Sequence, residues 1–286
     1  MSEKCNHNCD SCNEECDERQ CSHDCSSCSQ NCSERVEIKP TDDTKIKKII
    51  GVLSGKGGVG KSMVSSLLAV KLAEAGYKVG IMDADITGPS IPKMFNLNKQ
   101  LFGDEKGIFP AVSTLGIKVV SINMMLEDED VPVLWRGPIL GGIIRQFYTE
   151  VHWGELDYLL IDMPPGTSDV AISVIQEIPV DSFVMVTTPS KLVSMVVGKA
   201  INMAKQVNKP IIGLVENMAF VKCDECGHEI QIYNNDKTVD TANKYGLEVL
   251  AKLPIDPIIA NFADDGEIEN YNGDYLDNLV SKLKLD

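Results

Sequence analysis

The stretch IIGVLSGKGGVGKS, residues 49–62, decides the fold. Its first part is mostly apolar and predicts a buried strand. The second part matches the pattern G-x-x-x-x-G-K-[ST], whose glycines let the main chain turn its N–H groups inward around phosphate oxygens. The following run, KSMVSSLLAVKLAEAG at residues 61–76, predicts a helix that ends at Gly76. A strand, a glycine-rich loop and a helix in this order predict a phosphate-binding loop.

The residues of this loop have separate predicted roles. Lys61 is expected to reach the β- and γ-phosphates of a nucleotide, and the Ser62 hydroxyl is expected to coordinate Mg²⁺. The N-terminus of the helix adds a partial positive charge that favours the phosphates. The residues predicted to surround the nucleotide are Gly55, Lys56, Gly57, Gly58, Val59, Gly60, Lys61 and Ser62.

Apolar runs that predict strands alternate with runs that predict helices along the rest of the chain. The predicted strands lie at residues 77–85, 116–123, 156–166, 181–189, 209–218 and 247–254. Because these strands are continuously apolar, they predict a mostly parallel sheet covered by helices on both faces, which is a doubly wound α/β fold. We predict a cysteine-rich appendage at residues 1–34, a linker at 35–46 and a P-loop NTPase domain at 47–286.

Acidic residues end two of the predicted strands. Asp83 and Asp85 close the run IMDAD, and Asp162 closes the run LLID. Open α/β sheets bind ligands at the carboxyl ends of their strands, so these carboxylates are candidates for the site. An apolar run that ends in aspartate predicts that Asp162 holds Mg²⁺ through water. The alternative for Asp83 and Asp85 is that they only terminate the strand.

Cys223 and Cys226 form a C-x2-C pair in a turn that also contains His228. Zinc sites and iron–sulfur clusters usually need four ligands, so the pair is incomplete by itself. His228 and another group of the same chain complete the set in one interpretation. In the other, a dimer partner supplies a second pair, and a [4Fe–4S] cluster bridges the two subunits. Structural zinc, a redox pair and an inert pair of thiols also remain open.

The first 32 residues contain two cysteine repeats with the same spacing, C-x3-C-x2-C-x3-C. We predict that they bind an iron–sulfur cluster or zinc. A straight helix would spread four such cysteines over about 16 Å, too far for one metal, so the segment must bend or the repeats must share a site. Disulfides and a reduced, disordered tail are the alternatives. The cysteines concerned are Cys5, Cys9, Cys12, Cys16, Cys21, Cys25, Cys28 and Cys32.

The overall charge limits the classes of partner. The chain has a formal net charge of −15, which argues against non-specific nucleic-acid binding and against attraction to anionic lipid. It contains no run of about 18 apolar residues that predicts a membrane span, and no secretory signal is visible. We therefore expect a cytoplasmic protein, in which thiols stay reduced and metal binding is favoured over disulfides.

Lys56 makes the loop resemble the deviant form K-G-G-x-G-K-[ST] of the ParA, MinD and nitrogenase-iron-protein class. This resemblance implies a nucleotide-dependent homodimer in which Lys56 reaches the nucleotide of the partner. It also implies that Asp85 orients the attacking water and that Asp83 supports the metal shell. Similar NTPases use an asparagine at the position of Asn217 to bind the adenine edge. The segment PPGTSD after Asp162 resembles a switch that senses the γ-phosphate.

Several motifs in order resemble the Mrp/ApbC-type iron–sulfur cluster carrier ATPases over about residues 47–265. They are GKGGVGKS, DADITGPS, LWRGP, DYLLIDMPPGTSD, and VENMAF followed by C-x2-C. The resemblance implies ATP hydrolysis, homodimerisation, and a labile [4Fe–4S] cluster on Cys223 and Cys226 for transfer to apoproteins. The N-terminal repeats depart from the cysteine spacing known in this family, so nothing about their ligands carries over.

Two other functions remain as alternatives. One is a positioning switch similar to ParA and MinD, which the acidic charge and the mixed charge of the C-terminal segment at residues 275–286 disfavour. The other is a reductase component similar to the nitrogenase iron protein. That class uses two well-separated cysteines in each subunit, whereas this chain has a C-x2-C pair.

Overall fold

The computed structural model of the protein describes residues 38–85, 88, 90–97, 100–105, 107–125, 137–166, 168–189, 191–223, 225–233 and 237–285. The N-terminal repeats, with their cysteines from Cys5 to Cys32, lie outside the described residues, and so do Trp135 and Arg136. Metal or cluster binding by the repeats stays a prediction, and no role is assigned to Trp135 and Arg136.

The predicted mostly parallel sheet is confirmed. Eight strands form it in the order β12-β9-β8-β1-β7-β2-β6-β5, and every neighbouring pair is parallel except β5 with β6. The strands of the described residues are β1 Lys45–Ser54, β2 Val79–Asp83, β3 Phe102–Asp104, β4 Gly107–Phe109, β5 Ala111–Val112, β6 Lys118–Ser121, β7 Glu155–Asp162, β8 Ser182–Thr187, β9 Ile211–Glu216, β10 Val221–Lys222, β11 Glu229–Ile230 and β12 Val249–Lys252.

Helices cover both faces of this sheet, as the doubly wound fold requires. The helices of the described residues are α1 Lys61–Glu74, α2 Ile91–Met94, α3 Gly137–Thr149, α4 Asp169–Glu177, α5 Lys191–Gln206, α6 Lys237–Tyr245, α7 Pro257–Asp264 and α8 Asp277–Leu283. Side chains alternate along β1, so Ile50 and Val52 join the core under α1, α2, α7 and α8, whereas Ile49 and Leu53 join the core under α3 to α6. Two buried cores thus hold the central strands in place.

The strand order places the loop after β1 at the centre of one sheet edge. β1 lies between β7 and β8, and β7 separates it from β2, so the carboxyl ends of β1, β7 and β2 are neighbours. Helix α1 leads the chain from β1 to β2 on one side of the sheet, whereas α4 leads it from β7 to β8 on the other side of β1, and the crevice where crossovers diverge in this way is where open α/β sheets bind ligands.

Short and exposed elements escaped the sequence prediction. Strands β3, β4 and β5 have only two or three residues each, too few to produce an apolar period. Part of the predicted linker also joins the domain. β1 already begins at Lys45, Thr41 donates a hydrogen bond to the carbonyl of Val151 at 3.3 Å, and His152 Nδ1 lies 3.0 Å from the Asp43 carboxylate. Within the described part of the chain, no helix combines the length and the apolar content that a bilayer crossing requires.

Candidate functional site

The glycine-rich loop has the backbone shape that its sequence predicts. Gly58 and Gly60 have φ angles of 76° and 77°, the left-handed region that glycine adopts without steric cost. Val59 between them is buried and anchors the loop, and the Ser54 hydroxyl donates to the carbonyl of Lys56 at 3.1 Å. Helix α1 begins directly after Gly60, so the unpaired N–H groups of its first turn adjoin the loop. The loop and the helix end together form an anion-binding site.

Lys61 is the cation of this site, and it is almost completely buried. Its side chain is 5% exposed, and its Nζ lies 2.6 Å from Asp162 Oδ2 and 3.4 Å from Asp85 Oδ2. These ion pairs hold the ammonium in place, but Nζ makes no hydrogen bond of favourable geometry to any described residue. The donors of the ammonium therefore remain available for phosphate oxygens.

Asp162 accepts from two serines of α1. The Ser62 hydroxyl donates to Oδ2 at 2.6 Å and the Ser65 hydroxyl donates to Oδ1 at 2.7 Å. Ser62 and Asp162 were predicted from the sequence, whereas Ser65 was not. The available signal was helical spacing, because Ser65 lies three residues after Ser62 on the same face of the helix.

Asp83 is the buried acidic residue at the end of β2, next to Asp162. The strand register pairs Asp83 with Asp162 on one side and with Ser121 on the other. The Ser121 hydroxyl donates to Asp83 Oδ2 at 3.0 Å, and the main-chain N–H of Asp85 donates to Oδ1 at 3.2 Å. Burial, reinforced by the negative charge of Asp162 and opposed by Lys61, raises the pKa of Asp83 to about 8. Asp83 thus shapes the turn that carries Asp85, and Ser121 is a further residue that was not predicted from the sequence.

The oxygen atoms gathered here suit Mg²⁺. Ser62, Asp85 and Asp162 offer hydroxyl and carboxylate oxygens, which hard divalent cations prefer. No group of three or more His, Cys, Asp or Glu side chains is arranged to hold a metal ion by itself within the described residues. That arrangement fits Mg²⁺, which keeps several waters and is usually held by one or two protein ligands together with the phosphates of a nucleotide.

The segment after Asp162 lies against the start of the loop. The N–H of Gly166 donates to the carbonyl of Ser54 at 2.9 Å, and a Cβ at Gly166 would lie 3.7 Å from the carbonyl of Gly55. The Ser168 hydroxyl accepts from the N–H of Ala171 at 3.3 Å and caps α4. A ligand that displaces the loop therefore meets this segment directly, while its role as a sensor stays a prediction.

Lys56 and Asn217 occupy contrasting environments. Lys56 is exposed on the loop, whereas Asn217 is completely buried after the end of β9. The Asn217 amide nitrogen donates to the carbonyl of Val59 at 2.9 Å, and a Cβ at Gly60 would lie only 2.2 Å from that nitrogen. Its Oδ1 has no hydrogen-bond partner among the described residues. A buried acceptor without a partner costs free energy, which a donor on a ligand would recover.

Cys223 and Cys226 lie in a small hairpin formed by β10 and β11. Its strands pair antiparallel, with the N–H of Cys223 donating to the carbonyl of His228 at 2.9 Å and the N–H of Gly227 to the carbonyl of Cys223 at 2.8 Å. Cys223 is half-buried and Cys226 is exposed. Within the described residues no third His, Cys, Asp or Glu side chain joins the two thiols in a metal-binding group, and their role as ligands stays a prediction.

Comparison with known proteins gives consistent matches. The family model for the NUBPL iron-transfer P-loop NTPase matches residues 45–283. An iron–sulfur cluster carrier protein of Clostridium perfringens is 44% identical over 239 residues, covering 81% of this chain and 84% of the relative. One of Saccharolobus solfataricus is 50% identical over 224 residues, covering 78% and 76%.

A solved structure shares the fold and much of the sequence. It is the nucleotide-binding protein of Archaeoglobus fulgidus in complex with ADP and with cobalt, and it superposes with a TM-score of 0.73 at 43% identity. The match covers 81% of this chain and 91% of that protein.

Proposed function

This chain belongs to the NUBPL iron-transfer P-loop NTPase family, and from that premise we propose that it is an ATP-dependent iron–sulfur cluster carrier. It binds a labile [4Fe–4S] cluster, hydrolyses ATP and transfers the cluster to apoproteins. The observation that carries the proposal is the hydrogen bond from Asn217 to Val59, because it joins the phosphate loop to the segment that leads to Cys223 six residues later.

Adenine recognition rests on the amide of Asn217. The nitrogen faces the carbonyl of Val59, so the Oδ1 atom is left to accept from the exocyclic amino group of adenine. Guanine presents a carbonyl oxygen at the equivalent position, and two acceptors facing each other repel. The site therefore favours ATP over GTP.

Hydrolysis uses the groups gathered at the carboxyl ends of β1, β2 and β7. Lys61 neutralises the phosphates, and Asp85 orients the attacking water. Ser62 and Asp162 hold Mg²⁺, which when bound neutralises charge on the phosphate oxygens. Lys56 of a second copy stabilises the charge that develops in the transition state. Gly166 and its neighbours pass the state of the γ-phosphate to the dimer interface.

Two copies of the chain are needed to hold the cluster. Each hairpin contributes the thiolates of Cys223 and Cys226, and a [4Fe–4S] cluster usually takes four. The cluster is cargo, so exposure of Cys226 suits release to a recipient protein. The cysteine-rich segment at residues 1–34 is proposed as a separate iron–sulfur or zinc site, followed by the linker and the P-loop NTPase domain.

Reconstitution of the full chain with iron and sulfide under anaerobic conditions tests this function. Cys223→Ser/Cys226→Ser should bind about two fewer iron atoms per monomer than the wild type, because a bridging cluster shares four irons between two chains. It should also fail to activate an apo [4Fe–4S] enzyme. Ser26→Ala/Ser27→Ala, in the N-terminal segment, is the control and should transfer normally. Equal iron content and equal transfer in the cysteine variant would contradict the proposal.

A further inference from the structure

A segment of seven residues, from Asn217 to Cys223, joins a side chain that contacts the phosphate loop to the cysteine hairpin. At its start, the Asn217 side chain donates to the carbonyl of Val59 at 2.9 Å, and its main-chain N–H donates to the carbonyl of Thr187 at 2.8 Å. Asn217 is therefore fixed both to the loop and to the sheet. Chemistry sets the orientation of the amide, because a carbonyl accepts only and the nitrogen must face it.

The Asn217 side chain packs so closely against the loop that a ligand bound to the loop would affect it. The left-handed Gly60 approaches the Asn217 nitrogen so closely that a Cβ there would lie at 2.2 Å. A nucleotide that rearranges residues 55–60 must therefore move the Asn217 side chain or break its bond to Val59. Packed interiors transmit such displacements because they do not deform continuously.

Met218 turns the chain from this contact toward the hairpin. Its φ angle is 57°, a left-handed conformation that is strained for a residue with a long side chain. Hydrogen bonds on both sides impose it: the N–H of Asn217 donates to Thr187, and the N–H of Ala219 donates to the carbonyl of Leu253 at 2.8 Å. The carbonyl of Phe220 accepts from the N–H of Ile255 at 2.8 Å.

The path beyond Met218 is short and well packed. Ala219 and Phe220 are both buried, and the hairpin begins at the next residue, Val221. No flexible linker separates the strained turn from Cys223. A displacement of the Asn217 side chain would thus act on a segment that main-chain hydrogen bonds hold along its length up to the hairpin.

We propose that Asn217 is a positioning residue that couples nucleotide binding to the accessibility of Cys223 and Cys226, with the strained Met218 turn as the rigid connection. This inference deepens the proposed function, because it assigns a regulatory role to the cysteine site. The route lies within one subunit and differs from the segment after Asp162, which acts toward the partner. Coupling between two sites is reciprocal. The factor by which bound nucleotide changes the affinity of the two thiols for their ligand is therefore the factor by which that ligand changes the affinity for the nucleotide.

Thiol reactivity measures this coupling without a cluster. The full-length, reduced and metal-free protein is alkylated with iodoacetamide, and mass spectrometry follows the peptide that contains Cys223 and Cys226. Coupling free energies between sites typically correspond to factors of about five or more, so saturating Mg-ADP should change the alkylation rate of this pair by about five-fold. Equal rates with and without Mg-ADP would overturn the proposal.

Met218→Gly tests whether the turn couples the two sites, because it should leave nucleotide binding intact. Glycine relaxes the left-handed turn and adds freedom after Asn217, while the contact of Asn217 with Val59 is retained. We expect ADP affinity to stay within about two-fold of wild type, while the nucleotide effect on alkylation falls toward none. If Met218→Gly keeps the full wild-type effect, the turn is not the connection and the proposal fails.

Asn217→Asp removes the donor to Val59 and, at Mg-ADP concentrations that saturate this variant in its own titration, should reduce the nucleotide effect in the same way. Asn278→Asp, in helix α8, is the control, because the Asn278 nitrogen also donates to a main-chain carbonyl, that of Leu250 at 3.1 Å. It should respond to Mg-ADP as the wild type does, and a loss of response there would overturn the assignment to Asn217. Failure to bind or transfer a cluster leaves these outcomes unchanged, so the two proposals are tested separately.

Discussion

The phosphate-loop site and the cysteine hairpin differ in how much of each one chain supplies. In the loop site, Lys61 is 5% exposed and Asp162 is fully buried, and they form an ion pair at 2.6 Å. In the hairpin, Cys226 is exposed and the strands on either side have two residues each. The side chains of the first site are held in place by one chain alone, whereas the second site, as proposed, needs the thiols of a second chain. A carrier needs this contrast, because it must hold its nucleotide firmly and give its cargo away.

Removal of the Lys61 ammonium should produce the largest effect and should affect only the loop site. Lys61→Ala is expected to lower kcat for ATP hydrolysis by about 100-fold or more, because a preorganised charge on the transferring phosphoryl group is lost. Phosphate release from cluster-free protein measures this rate. Cys223→Ser/Cys226→Ser should change the same rate by less than about three-fold, since the thiols take no part in the chemistry. An equal loss in the cysteine variant would show that the two sites are not separable.

One glycine from each site compares how tightly the loop and the hairpin are packed. Gly60 and Gly227 both have left-handed φ angles, 77° and 69°. A Cβ at Gly60 would lie 2.2 Å from the Asn217 nitrogen, whereas at Gly227 the nearest atom is the Lys222 side-chain Cε at 3.8 Å. Gly60→Ala should therefore lower the free energy of unfolding by about 3 kcal/mol or more. Gly227→Ala should lower it by about 1 kcal/mol, because only the left-handed backbone conformation is unfavourable there.

Urea denaturation of the metal-free and nucleotide-free protein measures this difference. Gly116→Ala is a further control, because Gly116 has a φ angle of 83° and a Cβ there would meet nothing within 4 Å. If all three variants lose the same stability, the contact between Asn217 and the loop does not constrain the fold.

The same contrast explains how much the sequence could predict. Lys61, Ser62 and Asp162 were predicted because a local motif and the carboxyl end of an apolar strand define them. Ser65 and Ser121 were missed, because their contacts depend on the rotation of α1 and on the register of β2 with β6. Helical spacing places Ser65 beside Ser62 but does not show which strand they face, and the register of β2 with β6 is set by long-range packing that leaves no local pattern.

For the cysteine pair, the sequence predicted the residues themselves but not the local structure around them. The C-x2-C spacing revealed Cys223 and Cys226, but strands β10 and β11 are too short to produce an apolar period. No sequence pattern indicates the strained turn at Met218, since methionine rarely adopts a left-handed conformation. The main-chain hydrogen bonds of Asn217 to Thr187 in β8 and of Ala219 to Leu253, just after β12, impose it.

The buried carboxyl of Asp83 provides the last and smallest test, which concerns the loop site alone. Its pKa rises from 3.8 to about 8 on folding, so between these values the folded state binds more protons than the unfolded state. Stability from this group is fully present below pH 3.8 and is lost as the pH rises toward 8. Asp83→Asn does not titrate, and its amide can accept from the Asp85 N–H and donate to Ser121.

Asp83→Asn should therefore become more stable relative to wild type as the pH rises from 5 to 8. We expect the difference in unfolding free energy to change by about 2 kcal/mol across this range, since each unit of pKa shift corresponds to about 1.4 kcal/mol and solvent penetration reduces the full effect. Urea denaturation in EDTA without nucleotide measures it, with Asp264→Asn on the exposed surface as the control. Parallel pH profiles for wild type and Asp83→Asn would contradict a protonated Asp83. Such a result would instead require that Lys61 balances both Asp83 and Asp162 as carboxylates, which would leave less of its charge for a phosphate.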